Sequence, residues 1–422
     1  SAVGQLLAQL EEDGLAENTI VFFYSDHGSG MPRHKRLLHD SGMQVPLIIR
    51  FPEKFQHLAP AAAGETVDDL VTFVDFPPSL LALAGLEAPE HFQGQTFLGA
   101  EPAEPREFVY GFRDRIDEVF DLSRSVRTQR YLYIRNYHPH LSWMQPSVFS
   151  DLGEIRQDLA RELATKGTEL TAAQLGFMGP TRTIEEFYDL AADPHNVSNL
   201  LAGEMSPQET EALEELRKVF QAERLRIGDT GVLPESYVID QIQEEEAVLL
   251  DIIDGKTNHR PDLELVWEAA DRVGTATDAD FLIEELIYGD VPIRYWTVVA
   301  LRNGFFDDAE VHDKVVDYLE DIAPSVRIEV ASWLAAASDS HRATALSVLQ
   351  TDIMNPQWHT ALRACRAIEL LGETASSTIP AMGALYNRTR FGQGDGDLFI
   401  AFSAGAFLEA MGMPTEPWDF AP

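Results

Sequence analysis

Apolar positions open the chain at helical spacing: Val3, Leu6, Leu7 and Leu10 fall at i, i+3, i+4 and i+7, one face of an amphipathic helix. Gly14 follows as a left-handed C-cap. Thr19 to Tyr24 is then an unbroken β-branched and aromatic run, the pattern of a strand buried on both faces of a parallel sheet. Val45 to Phe51, with Pro46 near its start, predicts a second such strand. Asp75, Pro77-Pro78 and Gly85 bracket an apolar stretch in the order of helix punctuation. This alternation over residues 1–105 predicts an α/β region built on a mostly parallel sheet with flanking helices.

Residues 106–235 are less regular and predict a small α+β subdomain. Tyr131 to Ile134 is a strand; a long loop rich in His, Pro and Trp follows, and charged helical patterns occupy residues 152–166 and 207–225. Gly228 to Pro234 reads as a linker. From 236 to 422 the texture is helical throughout. Pro261, Pro292, Pro324 and Pro356 are 31, 32 and 32 residues apart, each shortly before an apolar helical segment. Arg294 and Arg327 share a phase, as do Leu301 and Leu334. Such self-similarity predicts an all-α solenoid of stacked helix pairs. It resembles HEAT repeats, at a shorter period than theirs. The tryptophans at 267, 296 and 333 recur with the repeat and are expected in its core, whereas Glu244 to Glu246 is expected as a solvated helix start.

A chain of 422 residues exceeds one compact core and predicts two or three domains. Its net charge of −37 argues against nucleic acid or an anionic membrane as partner. It also repels anionic substrates unless a local basic site overrides it. No apolar run approaches the roughly 18–20 residues of a membrane span. The lone cysteine, Cys365, excludes an internal disulfide framework and is expected as a buried small hydrophobe. Because the chain starts without Met and already in a helical pattern, it is expected to be the C-terminal part of a longer protein.

Candidate chemistry begins directly after the first strand, at Ser25-Asp26-His27-Gly28. In open α/β sheets ligands bind at the carboxyl ends of strands, and adjacent oxygen and nitrogen donors suit a divalent cation. The same residues also read as a surface turn with a capping Asp. Downstream, Met31-Pro32-Arg33-His34-Lys35-Arg36 is a basic run in an acidic chain, followed by Asp40-Ser41-Gly42 and Val45-Pro46-Leu47-Ile48-Ile49. A second basic island places six arginines between Arg113 and Arg135, with no lysine, against Asp114, Asp117, Glu118 and Asp121. Arginine forks suit sulfate or carboxylate; internal ion pairs with those four acids are the other reading. Arg113, Asp114 and Arg124 are the candidates to face a substrate. His138 and His140, beside Trp143, read either as the lining of a sugar pocket or as part of a surface loop.

Taken in register, Ser-Asp-His-Gly, the following Lys, Asp-x-Gly and Val-Pro-Leu-Ile-Ile resemble the sulfatases of the alkaline phosphatase superfamily. Val74 to Gly85, Gly94-Gln95-Thr96-Phe97-Leu98, Arg124 to Tyr131 and Glu186-Phe187-Tyr188-Asp189-Leu190 with Asp193-Pro194 and Asn199-Leu200 extend the resemblance over about residues 1–225. It implies an alkaline-phosphatase-like α/β fold and hydrolysis of sulfate esters, with a sulfated carbohydrate as the expected substrate. It implies Asp26 and His27 as ligands of the active-site cation, calcium by family habit. His27 stands where many sulfatases carry Asn, which leaves room for manganese, iron or zinc. Lys35 would hold the ester's oxygens and stabilise leaving-group charge. Periplasmic or secreted localisation is implied by the same resemblance.

One departure is large. The formylglycine nucleophile of this family arises from a Cys- or Ser-x-Pro-x-Arg motif beside a pair of metal-binding aspartates, and the chain has neither. It is therefore expected to be inactive alone. Two alternatives stand beside the sulfatase reading. One is a phosphonate monoester or phosphodiester hydrolase of the same superfamily; the other is a non-catalytic scaffold that uses its helical repeats for a protein partner or self-association.

Overall fold

A computed structural model of the chain describes residues 1–257 and 261–416. Residues 258–260 and 417–422, within the expected repeat region, lie outside it. The chain forms two compact units that interleave along the sequence. The first comprises Ser1–Phe112, Arg124–Ile134 and Glu186–Glu223; the second comprises Arg113–Ser123, Arg135–Glu185 and Arg224 onward. Among the described residues no helix is long and apolar enough to cross a membrane.

In the first unit the opening helix spans Ala2–Glu12 and stops before Gly14, at φ +69°. Strands β1 (Val21–Tyr24) and β2 (Leu47–Arg50) follow. They pair antiparallel, with Val21 opposite Arg50 and Tyr24 opposite Leu47, so the parallel pairing expected from strand–helix alternation does not hold here. Parallel neighbours need a crossover that carries the chain back to the start of the sheet. The connection here is instead closed at its base by a hydrogen bond from the Gly28 N–H to the Gly42 carbonyl (2.9 Å). The chain therefore enters β2 beside the point where it left β1.

Nor is β1 buried on both faces. Phe22 and Tyr24, on one face, pack against Phe76 with ring centroids 6.1 and 5.2 Å apart. Phe23 and Ile48, paired on the other face, are 44% and 62% exposed. The helix Phe76–Leu83 carries its prolines in the first turn as expected, and Gly85 follows at φ +72°. Asp75 is more than a cap. It is buried, accepts from the Thr72 and Gln95 N–H groups (3.0 and 2.8 Å) and pairs with Arg106. One carboxylate thus ties the Pro-Pro helix to the Gly94–Leu98 element.

A four-stranded sheet has the order β3 (Val109–Arg113), β4 (Ser123–Arg127), β5 (Tyr131–Asn136), β6 (Glu185–Asp189). β5 is buried along its whole length. In the first unit, Tyr110 and Tyr133 pack against Phe220 of the helix Pro207–Arg226, and Tyr131 stacks on Phe187.

In the second unit the four prolines stand where the period places them. Pro292 and Pro324 lie in the first turns of the helices Val291–Gly304 and Pro324–Ala337. Pro261 and Pro356 stand just before Leu263–Asp271 and Trp358–Leu371. Trp267, Trp296 and Trp333 are fully buried, and each indole N–H donates to a backbone carbonyl: Asp229, Val232 and Phe306. Arg294 makes a two-pronged pair with Asp321, and Arg327 repeats it with Asp352. Cys365 is buried as expected. Two readings are corrected. Gly228–Pro234 is no loose linker: Val232 and Leu233 are buried, because the indoles of Trp267 and Trp296 need its carbonyls. Glu244 ends a helix, Glu235–Glu244, instead of starting one, since Pro234 sets that helix's beginning.

Candidate functional site

The first unit's candidate site is the loop between β1 and β2. Asp26 is open to solvent and His27 half-buried, with Asp26 Oδ2 3.4 Å from His27 Nε2. His27 Nδ1 lies 2.6 Å from the Gly28 carbonyl. A carbonyl only accepts, so Nδ1 carries a hydrogen and Nε2 is the ring nitrogen turned toward the Asp26 carboxylate. A backbone carbonyl on Nδ1 is the support that a histidine ligating a metal through Nε2 uses. An oxygen and a nitrogen donor on one turn fit a share of a cation's coordination sphere. Among the described residues no group of three or more His, Cys, Asp or Glu converges to hold a metal by itself.

The rest of the loop is folded tightly around this turn. Ser25 Oγ donates to the His27 carbonyl (2.7 Å), the Lys35 N–H donates to the Ser29 carbonyl (3.1 Å), and Ser29 Oγ meets His34 Nδ1 at 2.8 Å. Lys35 is thereby held on the same folded loop as Asp26 and His27. Two glycines are sterically required. A Cβ on Gly28 would stand 1.9 Å from the Ser41 carbonyl oxygen, and one on Gly42 2.2 Å from that of His34. Arg33 and Arg36 adopt φ of +66° and +76°, a region L-residues occupy only when their surroundings hold them there.

Residues far along the chain hold Arg33 and the rest of this loop. The Arg33 guanidinium donates to the His195 carbonyl (2.6 Å) and to that of Asn196. The Asp40 N–H donates to Asn196 Oδ1, and the Asp40 carboxylate pairs with Arg127. Buried His39 meets Glu186 Oε2 at 3.0 Å, and the Tyr188 hydroxyl donates to the same oxygen (2.7 Å). Burial and the Glu186 charge hold the Tyr188 phenol far above its usual range. The Glu-Phe-Tyr-Asp element therefore clamps the Lys35 loop from more than 140 residues away. The only sequence signal was that both lay within one family resemblance.

Arg113, Asp114 and Arg124 were expected at a substrate. In the first unit Arg124 is wholly enclosed within β4, near the ring of Phe112. In the second, Arg113 is 6% exposed and pairs with buried Asp121 (3.0 Å), which Arg182 also binds. The two guanidiniums drive the Asp121 carboxyl far below its ordinary value against the cost of burial. Asp114 is half-buried. Of the remaining cluster, Arg115 pairs with Glu235, Arg127 with Asp40 and Arg130 with Asp189, none of them among the four nearby acids. His138 and its loop are no surface loop: Tyr137, His138, Trp143 and Gln145 are all buried within the second unit. A local reading missed this because the covering helices lie some 150 to 220 residues further along the chain.

With this geometry in hand, the comparisons with known proteins are specific to one region. Residues 1–86, which contain the whole Asp26–Lys35 loop, match the family described as Sulfatase. The chain is similar to an ulvan-active sulfatase of Formosa agariphila, 40% identical over 241 residues, which are 57% of this chain and 38% of that protein. It is also similar to an N-acetylglucosamine-6-O-sulfatase of Bacteroides thetaiotaomicron, 30% identical over 181 residues, 40% of this chain and 31% of that protein. A solved structure in complex with its substrate D-glucosamine-2-N,6-O-disulfate aligns at TM-score 0.37 and 22% identity, covering 54% of this chain and 38% of that one. The chain thus spans roughly a third of the length of the curated relatives it matches.

Proposed function

We propose that this chain supplies part of a sulfatase that hydrolyses sulfate esters of a sulfated carbohydrate. The observation that carries the reading is the β1–β2 loop: its Asp26–His27 turn sets a carboxylate and an imidazole nitrogen side by side, and the loop lies inside the segment similar to sulfatases. Asp26 and His27 would hold a divalent cation, calcium in the first instance, which when bound supplies Lewis-acid stabilisation of the ester oxygens. Lys35 would place its ammonium against the same oxygens and favour the charge that grows on the leaving group. Half-buried Asp114 is proposed as a substrate contact. The nucleophile is proposed to come from a Cys- or Ser-x-Pro-x-Arg segment not present in residues 1–422, so the chain by itself is expected not to turn over an aryl sulfate. The helical region of the second unit is proposed to carry a protein contact.

A second reading has one observation in its favour. The nitrogen donor of His27 suits manganese or zinc better than calcium, and a phosphonate monoester or phosphodiester substrate would accompany such a metal. The test is to read the coding sequence adjoining this one and assay its complete product. Release of sulfate from 4-nitrophenyl sulfate and from sulfated oligosaccharides, lost in Asp26→Asn and Lys35→Ala, supports the sulfatase. Cleavage of phosphate diesters but not sulfate esters supports the second reading. Neither activity, with a nucleophile motif present, leaves the scaffold.

A further inference from the structure

Within the second unit, a cavity of about 240 Å³ lies among the helices Val291–Gly304, Pro324–Ala337 and Trp358–Leu371 and the loop that follows β5. Arg302, Arg363 and Arg366 line it with His138, His140 and Glu329. Glu329 is fully engaged, one carboxylate oxygen on Arg302 (2.9 Å) and the other on Arg363 (3.0 Å). Arg366 donates to the Pro146 carbonyl and pairs with Glu369. Three guanidiniums thus line one cavity in a chain of charge −37.

The Tyr295 hydroxyl accepts from Arg363 (2.8 Å) and meets His138 Nε2 at 2.9 Å. His138 Nδ1 is buried without a hydrogen-bond partner, as are the Nε–H groups of Arg302 and Arg366. Burial and the neighbouring Arg363 push the His138 pKa down to about 4, so the ring is neutral at pH 7. A wall that carries three guanidiniums, donors without acceptor capacity, calls for an acceptor-rich ligand. Ser142, Ser332 and Gln145 add hydroxyl and amide groups to the wall. The volume falls below the roughly 300–1,000 Å³ of pockets for drug-sized ligands and suits one charged group on a single ring.

We propose that this cavity binds an oxyanion, the sulfate or carboxylate of one acidic sugar unit, between Arg302, Arg363, Arg366 and His138. The oxyanion part stands on the cavity alone; the sugar part rests on the sulfatase reading. The test is calorimetric titration of the full chain with inorganic sulfate, D-glucuronate, D-glucose 6-sulfate and, as neutral control, D-glucose, at constant ionic strength. Saturable binding of the charged probes, with Kd on the order of 1 mM or tighter, and none of glucose is the expected result. Ala336→Glu, which puts a carboxylate into the cavity from a half-exposed helical position, is expected to weaken binding on the order of tenfold or more. Ser332→Leu, which fills the same space without charge, is expected to do likewise.

Tighter binding of glucose 6-sulfate than of inorganic sulfate assigns the sulfated sugar, and a preference for glucuronate assigns the carboxylate. Inorganic sulfate bound with both sugars excluded overturns the sugar assignment. No saturable binding of any charged probe, or wild-type affinity in both folded variants, overturns the site. Because none of these titrations involves turnover, failure of the sulfatase reading in the complete product and failure of this site are separate results.

Discussion

The β1–β2 loop and the arginine cavity hold their polar groups by opposite means. In the loop the reactive candidates are open: Asp26 has 80% of its side chain exposed, and the order is imposed from beneath by backbone hydrogen bonds, two glycines and distant clamps such as His39–Glu186. In the cavity the charges themselves are buried, and each guanidinium is held by a carboxylate, a carbonyl or a hydroxyl. The difference is energetic. An exposed carboxylate can be exchanged with little effect on folding, whereas a buried charge that loses its partner is left uncompensated in a poorly solvating interior.

That contrast can be broken in four places. The largest effect is expected from Glu329→Ala, which strands Arg302 and Arg363 together; a loss of about 3–5 kcal/mol should appear in urea unfolding. A loss below about 1 kcal/mol would mean that solvent reaches the pair and that the cavity is wetter than its burial indicates.

The next concerns pH. His138 titrates at about 4 in the folded chain against about 6.5 when unfolded, so the unfolded state binds the extra proton as pH falls between these values. Stability is therefore full above about 6.5 and declines down to about 4, by roughly 3 kcal/mol from this residue. His140, held well below its ordinary range by burial and by Arg302, acts in the same direction. His138→Gln should flatten the decline by about one proton relative to wild type; an unchanged slope would show that His138 is already solvated.

Third, Gly42→Ala drives a methyl into the His34 carbonyl and should cost about 1–3 kcal/mol. It should also weaken cation binding by the chain, measured by equilibrium dialysis with calcium and manganese. Retained cation affinity would separate the loop's backbone from the proposed ligand turn. Smallest in stability is Asp26→Asn, expected within about 0.5 kcal/mol of wild type while cation binding falls. Were it to unfold the chain instead, Asp26 would be a structural residue and the proposed role would fail.

How much of this was legible beforehand differs between the two regions for the same physical reason. Asp26, His27 and Lys35 could be singled out because the pattern that marks them is local: a strand end, a turn and a basic run within ten residues. The cavity was half-readable. His138 and His140 drew notice, but only as neighbours of Trp143, and their loop read as surface because composition cannot report what covers a segment. Arg363 and Arg366 passed as ordinary helical residues beside Cys365. Their significance arises from Gln145, Pro146 and Tyr295, which are 68 to 221 residues away.

By itself the sequence determined what depends on neighbours along the chain. Helices begin at the periodic prolines and stop at Gly14 and Gly85, the tryptophans enter the core at 267, 296 and 333, and a donor pair sits at the end of β1. Only the tertiary structure decided that β1 and β2 run antiparallel, that Asp75 and Glu186 are anchors, that Gly228–Pro234 is packed, and that Arg113 and Arg124 are enclosed. Periodicity and turn chemistry act over a few residues. Pairing direction, the partner of a charge and the covering of a loop are settled by contacts between segments far apart in the chain, where burial makes each unmatched polar group costly enough to select one arrangement.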